Sequence, residues 1–151
     1  MKQGLGTQLR HLIELLDGAV QQAYAEAGLE YRPRYTPVMR ALAGGVARTV
    51  SQVAESAGIT QPAATQTVNL MLKEGWLVAQ ASPTDARQKL LRLSAQGERL
   101  LPQLQACWRA TAAAADDLDR ELPHPLSATL ASAIDALERR SFGERIRNAK
   151  E

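Results

Sequence analysis

The chain is poor in the residues that cross-link small secreted domains or span membranes. It has one cysteine in 151 residues, which excludes an internal disulfide, and no signal peptide is recognisable at its start. No apolar run approaches the roughly 20 residues that a membrane-spanning helix needs. Only 4% of the residues are aromatic, with a single phenylalanine, whereas alanine and leucine are abundant and favour helix. We therefore expect a cytoplasmic, largely helical protein.

The chain also lacks the residue sets that catalysis and metal binding require. His11 and His124 have no cysteine or acid at ligand spacing, so we expect no metal site and no other cofactor. No nucleophile, base and orienting group can be recognised as a set, and no phosphate-binding loop is present. Cys107 lies on an apolar helical stripe beside Trp108, which favours a small packing side chain over a redox sensor. The sequence does not favour an enzyme.

Neither sign of charge dominates. The 18 basic and 16 acidic residues leave a net charge of +2, which permits nucleic-acid binding without arguing for it. The charged residues are unevenly placed along the chain, however. The basic positions of interest are Arg32, Arg34, Arg40, Arg48, Arg87, Lys89 and Arg92, and an acidic group follows at Asp116, Asp117, Asp119 and Glu121. A nucleic-acid-binding protein of this charge needs its basic groups on one face.

The most informative stretch covers residues 49–97. It begins with a helical segment that Gly58 ends, and Thr60 then supplies a hydroxyl that can cap a second helix. Two helices joined by a short glycine-containing turn form a helix-turn-helix, whose second helix enters the major groove of DNA. Two short apolar runs follow at 76–81 and 88–93, and the turn residues between them predict a β-hairpin.

Further helices are predicted on both sides of this stretch. A long first helix is ended by Gly28, and a second helix runs to about Leu42, with its start open between Pro33 and Pro37. One long helix and a final helix, separated at Pro123, follow the hairpin. Apolar stripes at helical spacing are Leu5, Leu9, Leu12, Leu16, Val20, Ala23 and Ala27 in the first helix and Leu126, Leu130, Ile134 and Leu137 in the last. The predicted class is mainly α with a small β-hairpin, in the order three or four helices, hairpin, two helices.

One face of the second helix in the motif is predicted to read base edges. The inward positions are Ile59, Ala64, Val68, Met71 and Leu72. The outward positions are Gln61, Pro62, Thr65, Gln66 and Asn69. The outward face has no acid and carries amide side chains, which suit hydrogen bonding to adenine. For this helix considered alone, a polar face that only contacts solvent is an equally good interpretation. The hairpin that follows the helix favours the base-reading interpretation.

The tip of the hairpin carries Asp85 and Arg87. We expect the two side chains to share one face of a strand, so that the carboxylate orients the guanidinium by a charge-assisted hydrogen bond. An arginine held in this way can enter a narrow minor groove, where the potential is most negative. The alternative is an ordinary surface ion pair of little energetic value. Because this Asp85–Arg87 pair follows a helix-turn-helix, we favour the first interpretation. We therefore predict that the hairpin is the wing of a winged helix.

Three parts of the chain resemble the MarR family of transcriptional regulators. They are Thr49-Val50-Ser51-Gln52-Val53-Ala54 with Gly58-Ile59-Thr60-Gln61-Pro62-Ala63-Ala64-Thr65-Gln66-Thr67-Val68; Lys73-Glu74-Gly75-Trp76-Leu77-Val78 with Ser82-Pro83-Thr84-Asp85-Ala86-Arg87; and Leu91-Arg92-Leu93-Ser94-Ala95-Gln96-Gly97. The similarity extends over nearly the whole chain. The chain departs from the family at Gln61, Gln66 and Ala86, where members often carry a basic residue.

The resemblance implies a winged helix-turn-helix homodimer whose terminal helices interleave. It implies a DNA-binding domain at 33–97 and a dimerisation region made of 1–32 and 98–151. Family members bind pseudo-palindromic operators and commonly repress nearby genes. The expected partners are therefore double-stranded operator DNA and a second copy of the chain. The expected DNA contacts are Ser51, Gln52, Thr60, Gln61, Pro62, Thr65, Gln66, Asn69, Asp85 and Arg87.

The resemblance also implies a response to a small molecule, because many members release DNA when a small, often phenolic ligand binds. The candidate ligand-binding residues are His11, Tyr24, Tyr31, Arg34, Tyr35 and Trp108, and ordinary packing is the alternative for each. A winged-helix module that serves protein assembly and has no operator is the alternative to a regulator. An apolar patch on the second helix of the motif would favour that alternative.

Overall fold

The computed structural model describes residues 4–150 as two compact units, 4–107 and 108–150. The extreme ends of the predicted dimerisation region, 1–3 and 151, lie outside the described residues. The helices are α1 (Leu5–Glu26), α2 (Thr36–Leu42), α3 (Val50–Ala57), α4 (Gln61–Lys73), α5 (Ala95–Glu121), α6 (Leu126–Arg139) and α7 (Phe142–Asn148), with a 3-10 turn at Pro33–Tyr35. Strands β1 (Leu77–Ala81) and β2 (Lys89–Leu93) form an antiparallel hairpin. The mainly helical class with a small hairpin is confirmed.

Local capping sets the ends of α3 and α4. The Thr49 hydroxyl accepts from the backbone N–H of Gln52 at 3.2 Å, and the Gln52 side chain accepts from the backbone N–H of Thr49 at 2.9 Å. Gly58 ends α3 with a φ of 68°, a left-handed conformation that glycine adopts at little cost. The Thr60 hydroxyl then accepts from the backbone N–H of Ala63 at 3.3 Å. The helix-turn-helix predicted from Gly58 and Thr60 is confirmed.

The chain after the hairpin contains one helix more than predicted. The Asp119 carboxylate accepts from the backbone N–H of Leu126 at 2.8 Å and also binds Ser127. These bonds cap α6, which begins after Pro123 and Pro125. Directly after α6, the Ser141 hydroxyl accepts from the backbone N–H of Glu144 at 3.2 Å and begins α7. The prediction of two helices after the hairpin is therefore wrong, because this serine cap starts a third.

The aromatic residues of the first unit form one buried cluster. The Tyr31 ring packs edge-on against the rings of Tyr24, Tyr35 and Trp76, with centroids 4.6 to 5.6 Å apart. All four side chains are at most 3% exposed. A Cβ atom at Gly97 would lie 2.6 Å from the carbonyl oxygen of Trp76, so glycine is required where α5 passes the cluster. The cluster joins the end of α1 to the residue that precedes the hairpin.

A third chain segment pairs with the hairpin. The backbone groups of Arg48 and Leu91 exchange two hydrogen bonds, with N···O distances of 2.9 and 2.7 Å. Within the hairpin, β1 and β2 pair in a register that places Ala79 opposite Leu91. The segment that leads into α3 is therefore held against the middle of β2. This bridge was not predicted from the sequence, because a single residue pair has no periodicity.

The C-terminal end of α4 is tied to the segment between α1 and α2. Glu74 is the residue that caps α4, and its carboxylate accepts from the Tyr35 hydroxyl at 2.6 Å and from the Arg32 guanidinium at 2.9 Å. The Tyr35 hydrogen bond, followed by Arg32, holds the pKa of Glu74 below its usual value, against the opposing effect of burial. Burial, with the Glu74 contact, raises the pKa of Tyr35 to about 12. These bonds set the position of α4 relative to the 3-10 turn.

We predict that Tyr35→Phe destabilises the fold in a pH-dependent way. At neutral pH the lost bond to a carboxylate should reduce the free energy of unfolding by about 1.5–3 kcal/mol. The raised pKa of Tyr35 means that its contribution is fully present below pH 10.0, the ordinary value for tyrosine, and is lost as the pH rises towards about 12. The parent should therefore lose its advantage over the variant by up to about 1.4 kcal/mol per pH unit in that window.

The measurement is urea-induced unfolding of both proteins at neutral pH and at several values above pH 10. Comparing the two proteins cancels the titration of groups that do not contact Tyr35, and the carboxyl of Glu74, whose pKa Tyr35 lowers, does not titrate in the alkaline range. A stability difference that stays constant across the alkaline range would contradict the raised pKa of Tyr35.

Candidate nucleic-acid interface

The N-terminal ends of α3 and α4 bring four of the predicted DNA-contact residues together. Ser51 and Gln52 lie in the first turn of α3, and Thr60 and Gln61 lie at the start of α4. The Ser51 hydroxyl donates to the side-chain oxygen of Gln61 at 3.3 Å, which links the two helices. Backbone N–H groups point outward at helix starts, and these attract anions.

The outward face of α4 is polar and solvent-accessible. All five residues predicted to face outward are exposed: Gln61, Pro62, Thr65, Gln66 and Asn69. Of the residues predicted to face inward, Ala64, Val68 and Met71 are buried and Ile59 and Leu72 are half-buried. The division of the helix into two faces is confirmed. No large exposed apolar side chain lies on this face.

One inward residue of α4 escaped the sequence analysis. Thr67 is 4% exposed, and its hydroxyl accepts from the Arg34 guanidinium at 3.1 Å. The signal was available, since Thr67 lies three residues after Ala64 and four before Met71, on the buried side of the helix. Arg34, for which ligand binding was predicted, is the donor of this hydrogen bond, and its ligand-binding role stays a prediction.

The contact predicted at the hairpin tip differs in its atoms. The Asp85 carboxylate accepts from the backbone N–H of Arg87 at 3.0 Å, and no ion pair joins the two side chains among the described residues. The predicted side-chain pair is wrong, because both residues precede β2 and lie in a turn where an aspartate reaches the backbone two residues on. Asp85 therefore shapes the turn and leaves the Arg87 guanidinium available.

The cations of the hairpin have no acidic partner. Arg87, Lys89 and Arg92 are all exposed, and none of them makes a salt bridge within residues 4–150. The hairpin also carries a single acid, Asp85, which is occupied at the turn. A positive potential at the hairpin next to an acid-free helix face is the charge pattern expected of a surface that meets phosphates.

The residues predicted to bind a ligand do not form one group. Tyr24, Tyr31 and Tyr35 meet in the buried aromatic cluster. His11 lies on the exposed part of α1, with its ring nitrogen 3.9 Å from the carboxylate of Glu14. Trp108 is buried in the second unit and Cys107 is half-buried at the end of the first. The ligand-binding role of these residues stays a prediction.

A cavity of about 810 Å³ opens beside the aromatic cluster in the first unit. Its walls come from the end of α1, the segment before α2, the cap of α4 and the start of α5. They include Gln21, Ala25, Leu29, Glu30, Tyr31, Arg32, Glu74, Trp76 and Gln96. Of the predicted ligand-binding residues only Tyr31 is among them. The bond between Arg32 and Glu74 lies at this cavity, so the cavity is next to the contact that holds the end of α4.

No helix among residues 4–150 is long and apolar enough to cross a membrane. The same residues contain no group of three or more histidine, cysteine, aspartate or glutamate side chains placed to hold a metal ion.

Comparison with known proteins identifies the central segment. Residues 28–88 match the model of the MarR family. They run from the glycine that ends α1 to the residue before β2, and so contain α2, the helix-turn-helix, β1 and the hairpin tip. A search of curated proteins finds no significant match.

Solved structures share the fold along most of the chain. CouR, described as a transcriptional repressor bound to a 23-mer DNA duplex, is 20% identical with a TM-score of 0.64, covering 89% of this chain and 92% of CouR. A cysteine-to-serine variant of MarR from E. coli in complex with operator DNA is 16% identical with a TM-score of 0.66, covering 88% and 92%. MepR from S. aureus in complex with DNA is 10% identical with a TM-score of 0.67, covering 91% and 98%. The fold is that of these regulators, and within it residues 28–88, which contain the helix-turn-helix, match the MarR family model.

Proposed function

We propose that the chain is a sequence-specific DNA-binding repressor. The observation that carries the proposal is the exposed, acid-free face of α4 beside the unpaired cations of the hairpin. Amide and hydroxyl side chains on such a helix can read base edges in the major groove, and Arg87 can reach the neighbouring minor groove or its phosphates. The lack of large apolar side chains on this face argues against a surface for protein assembly.

The test is a salt-dependent mobility shift on the DNA upstream of the protein's own gene. Arg87→Ala should weaken binding to specific and random DNA alike, and should lower the slope of log affinity against log salt by about one unit, because one cation is removed. Arg109→Ala is the matched control, since it removes an exposed arginine from α5 outside the winged module. Equal salt slopes for the parent and Arg87→Ala would exclude a phosphate contact at Arg87.

We propose that the terminal helices cover their apolar faces with a second copy of the chain. Leucine and isoleucine side chains of α1 and α6 are exposed in the single chain. They are Leu5, Leu9, Ile13, Leu15 and Leu16 on α1 and Leu130, Ile134 and Leu137 on α6. Apolar stripes of this length are costly in water, and twofold pairing is the commonest way to bury them. A dimer also suits a pseudo-palindromic operator, whose half-sites match the twofold axis.

Ile134→Glu should convert this dimer into a monomer or an unfolded chain. Ile134 is 58% exposed in the single chain, so a glutamate there is tolerated by the isolated helix but not by a buried apolar interface. Ser132→Glu is the matched control, because it adds the same charge on the opposite face of α6. Light scattering measures the mass. A parent that is a stable, soluble monomer at micromolar concentration would overturn the proposal.

We further propose that a small aromatic or phenolic ligand releases the repressor, and that it binds in the cavity beside the aromatic cluster. The support is the position of the cavity: its wall includes Arg32 and Glu74, which hold the end of α4. A ligand that competes for either side chain would shift the helix that faces DNA. In this proposal α4 has a DNA-binding position and a released position. A ligand shifts the equilibrium between them only if it binds the released position more tightly.

Ala25→Trp should abolish this release. Ala25 lines the cavity from α1, outside the predicted DNA-contact residues, and an indole there fills part of the cavity volume. The variant should bind the operator as the parent does but should no longer be displaced by phenolic acids that displace the parent in the mobility-shift assay. Displacement of parent and variant at the same ligand concentration would locate the ligand elsewhere.

A further inference from the structure

We infer that Ser51 is a positioning residue that makes Gln61 read guanine rather than adenine. The inference rests on the proposed function, because it concerns how the α4 face discriminates between operators. It departs from the general expectation for glutamine, which pairs with adenine when both ends of its amide are available. What changes the expectation here is a hydrogen bond between the two helices of the motif.

The bond joins the first turns of α3 and α4. The Ser51 hydroxyl donates to the side-chain oxygen of Gln61 at 3.3 Å. Both residues are exposed, and the turn between the helices at Gly58 brings them to the same end of the motif. Because the oxygen of the planar Gln61 amide is turned towards the Ser51 hydroxyl, the amino group of the same amide points away from that hydroxyl.

The orientation of the amide decides which base it can satisfy. Adenine presents one acceptor, N7, and one donor, the N6 amino group, so a bidentate contact needs both the oxygen and the nitrogen of the amide. Guanine presents two acceptors, N7 and O6, which an amino group with two hydrogens can satisfy by itself. An amide whose oxygen is directed at Ser51 meets DNA with its amino group, and this pair of donors complements guanine.

The neighbouring side chain follows the same pattern. The side-chain oxygen of Gln52 accepts from the backbone N–H of Thr49 at 2.9 Å, so this amide also presents its amino group to the outside. The edge formed by Gln52 and Gln61 is therefore an edge of hydrogen-bond donors. Gln66 differs, because no hydrogen bond involving its side chain is found in the described part of the chain, and both ends of its amide stay available.

The experiment is selection of bound sequences from a randomised DNA library by the full-length protein. Gln61→Ala identifies the base pair that Gln61 reads, as the position in each half-site where preference is lost. At that position the parent should prefer guanine over adenine by about tenfold. Ser51→Ala should remove this preference or turn it towards adenine, whereas Ser51→Thr, which keeps the hydroxyl, should retain guanine. The matched control is Ser56→Ala, which deletes an exposed hydroxyl of α3 away from Gln61.

A change confined to one base position is a result that a merely structural role of Ser51 would not produce, since destabilised α3 would weaken binding to all sequences. Retention of the guanine preference by Ser51→Ala would overturn the inference, and so would adenine at this position in sequences selected by the parent. If the parent enriches no sequence at all, the proposed function itself fails. These results are distinguishable, because the first two require a selected operator and the last excludes one.

Discussion

The hydrogen bonds that Glu74 accepts from Tyr35 and Arg32 are the contact on which the placement of α4 depends. The outward half of α4 faces solvent, so packing alone restrains the helix on one side only. Its C-terminal end is fixed by this carboxylate, and its N-terminal end by the cap at Thr60 and the contact between Ser51 and Gln61. If α4 reads base edges as proposed, holding both of its ends keeps its side chains in position.

The aromatic cluster explains how so few rings support this arrangement. Tyr35 belongs both to the cluster and to the Glu74 contact, so the phenol ring is packed while its hydroxyl is bonded. Trp76 lies two residues after Glu74 and packs against Tyr31 in the same cluster. The end of α4, the start of the hairpin and the segment before α2 are thus held by one group of residues. The cavity lies beside this group, so a molecule bound there would act on the helix through a short path.

The surface is divided by chemistry. The helix-turn-helix and the hairpin expose mainly amides, hydroxyls and unpaired cations, with Val78 of β1 as an exposed apolar side chain, whereas α1 and α6 expose leucine and isoleucine. The two kinds of surface lie on different elements, as the proposed contacts with DNA and with a second copy require. Asp85 illustrates how the hairpin keeps its positive charge: the one acid of the tip is taken up by the backbone of Arg87 and does not neutralise its side chain.

The sequence by itself determined the elements whose signals are local. Gly58 and Thr60 predicted the turn and the cap of the motif, and apolar spacing predicted the two faces of α4, because both depend only on neighbours along the chain. Tertiary structure decided the contacts between distant segments: the pairing of Arg48 with Leu91, the bonds of Glu74, and the donor that binds Thr67. No period or motif encodes these, since each joins residues 33 to 43 positions apart whose approach requires the packed fold. The turn at Asp85 was also decided in three dimensions, because whether a carboxylate meets a guanidinium or a backbone N–H depends on the local backbone path.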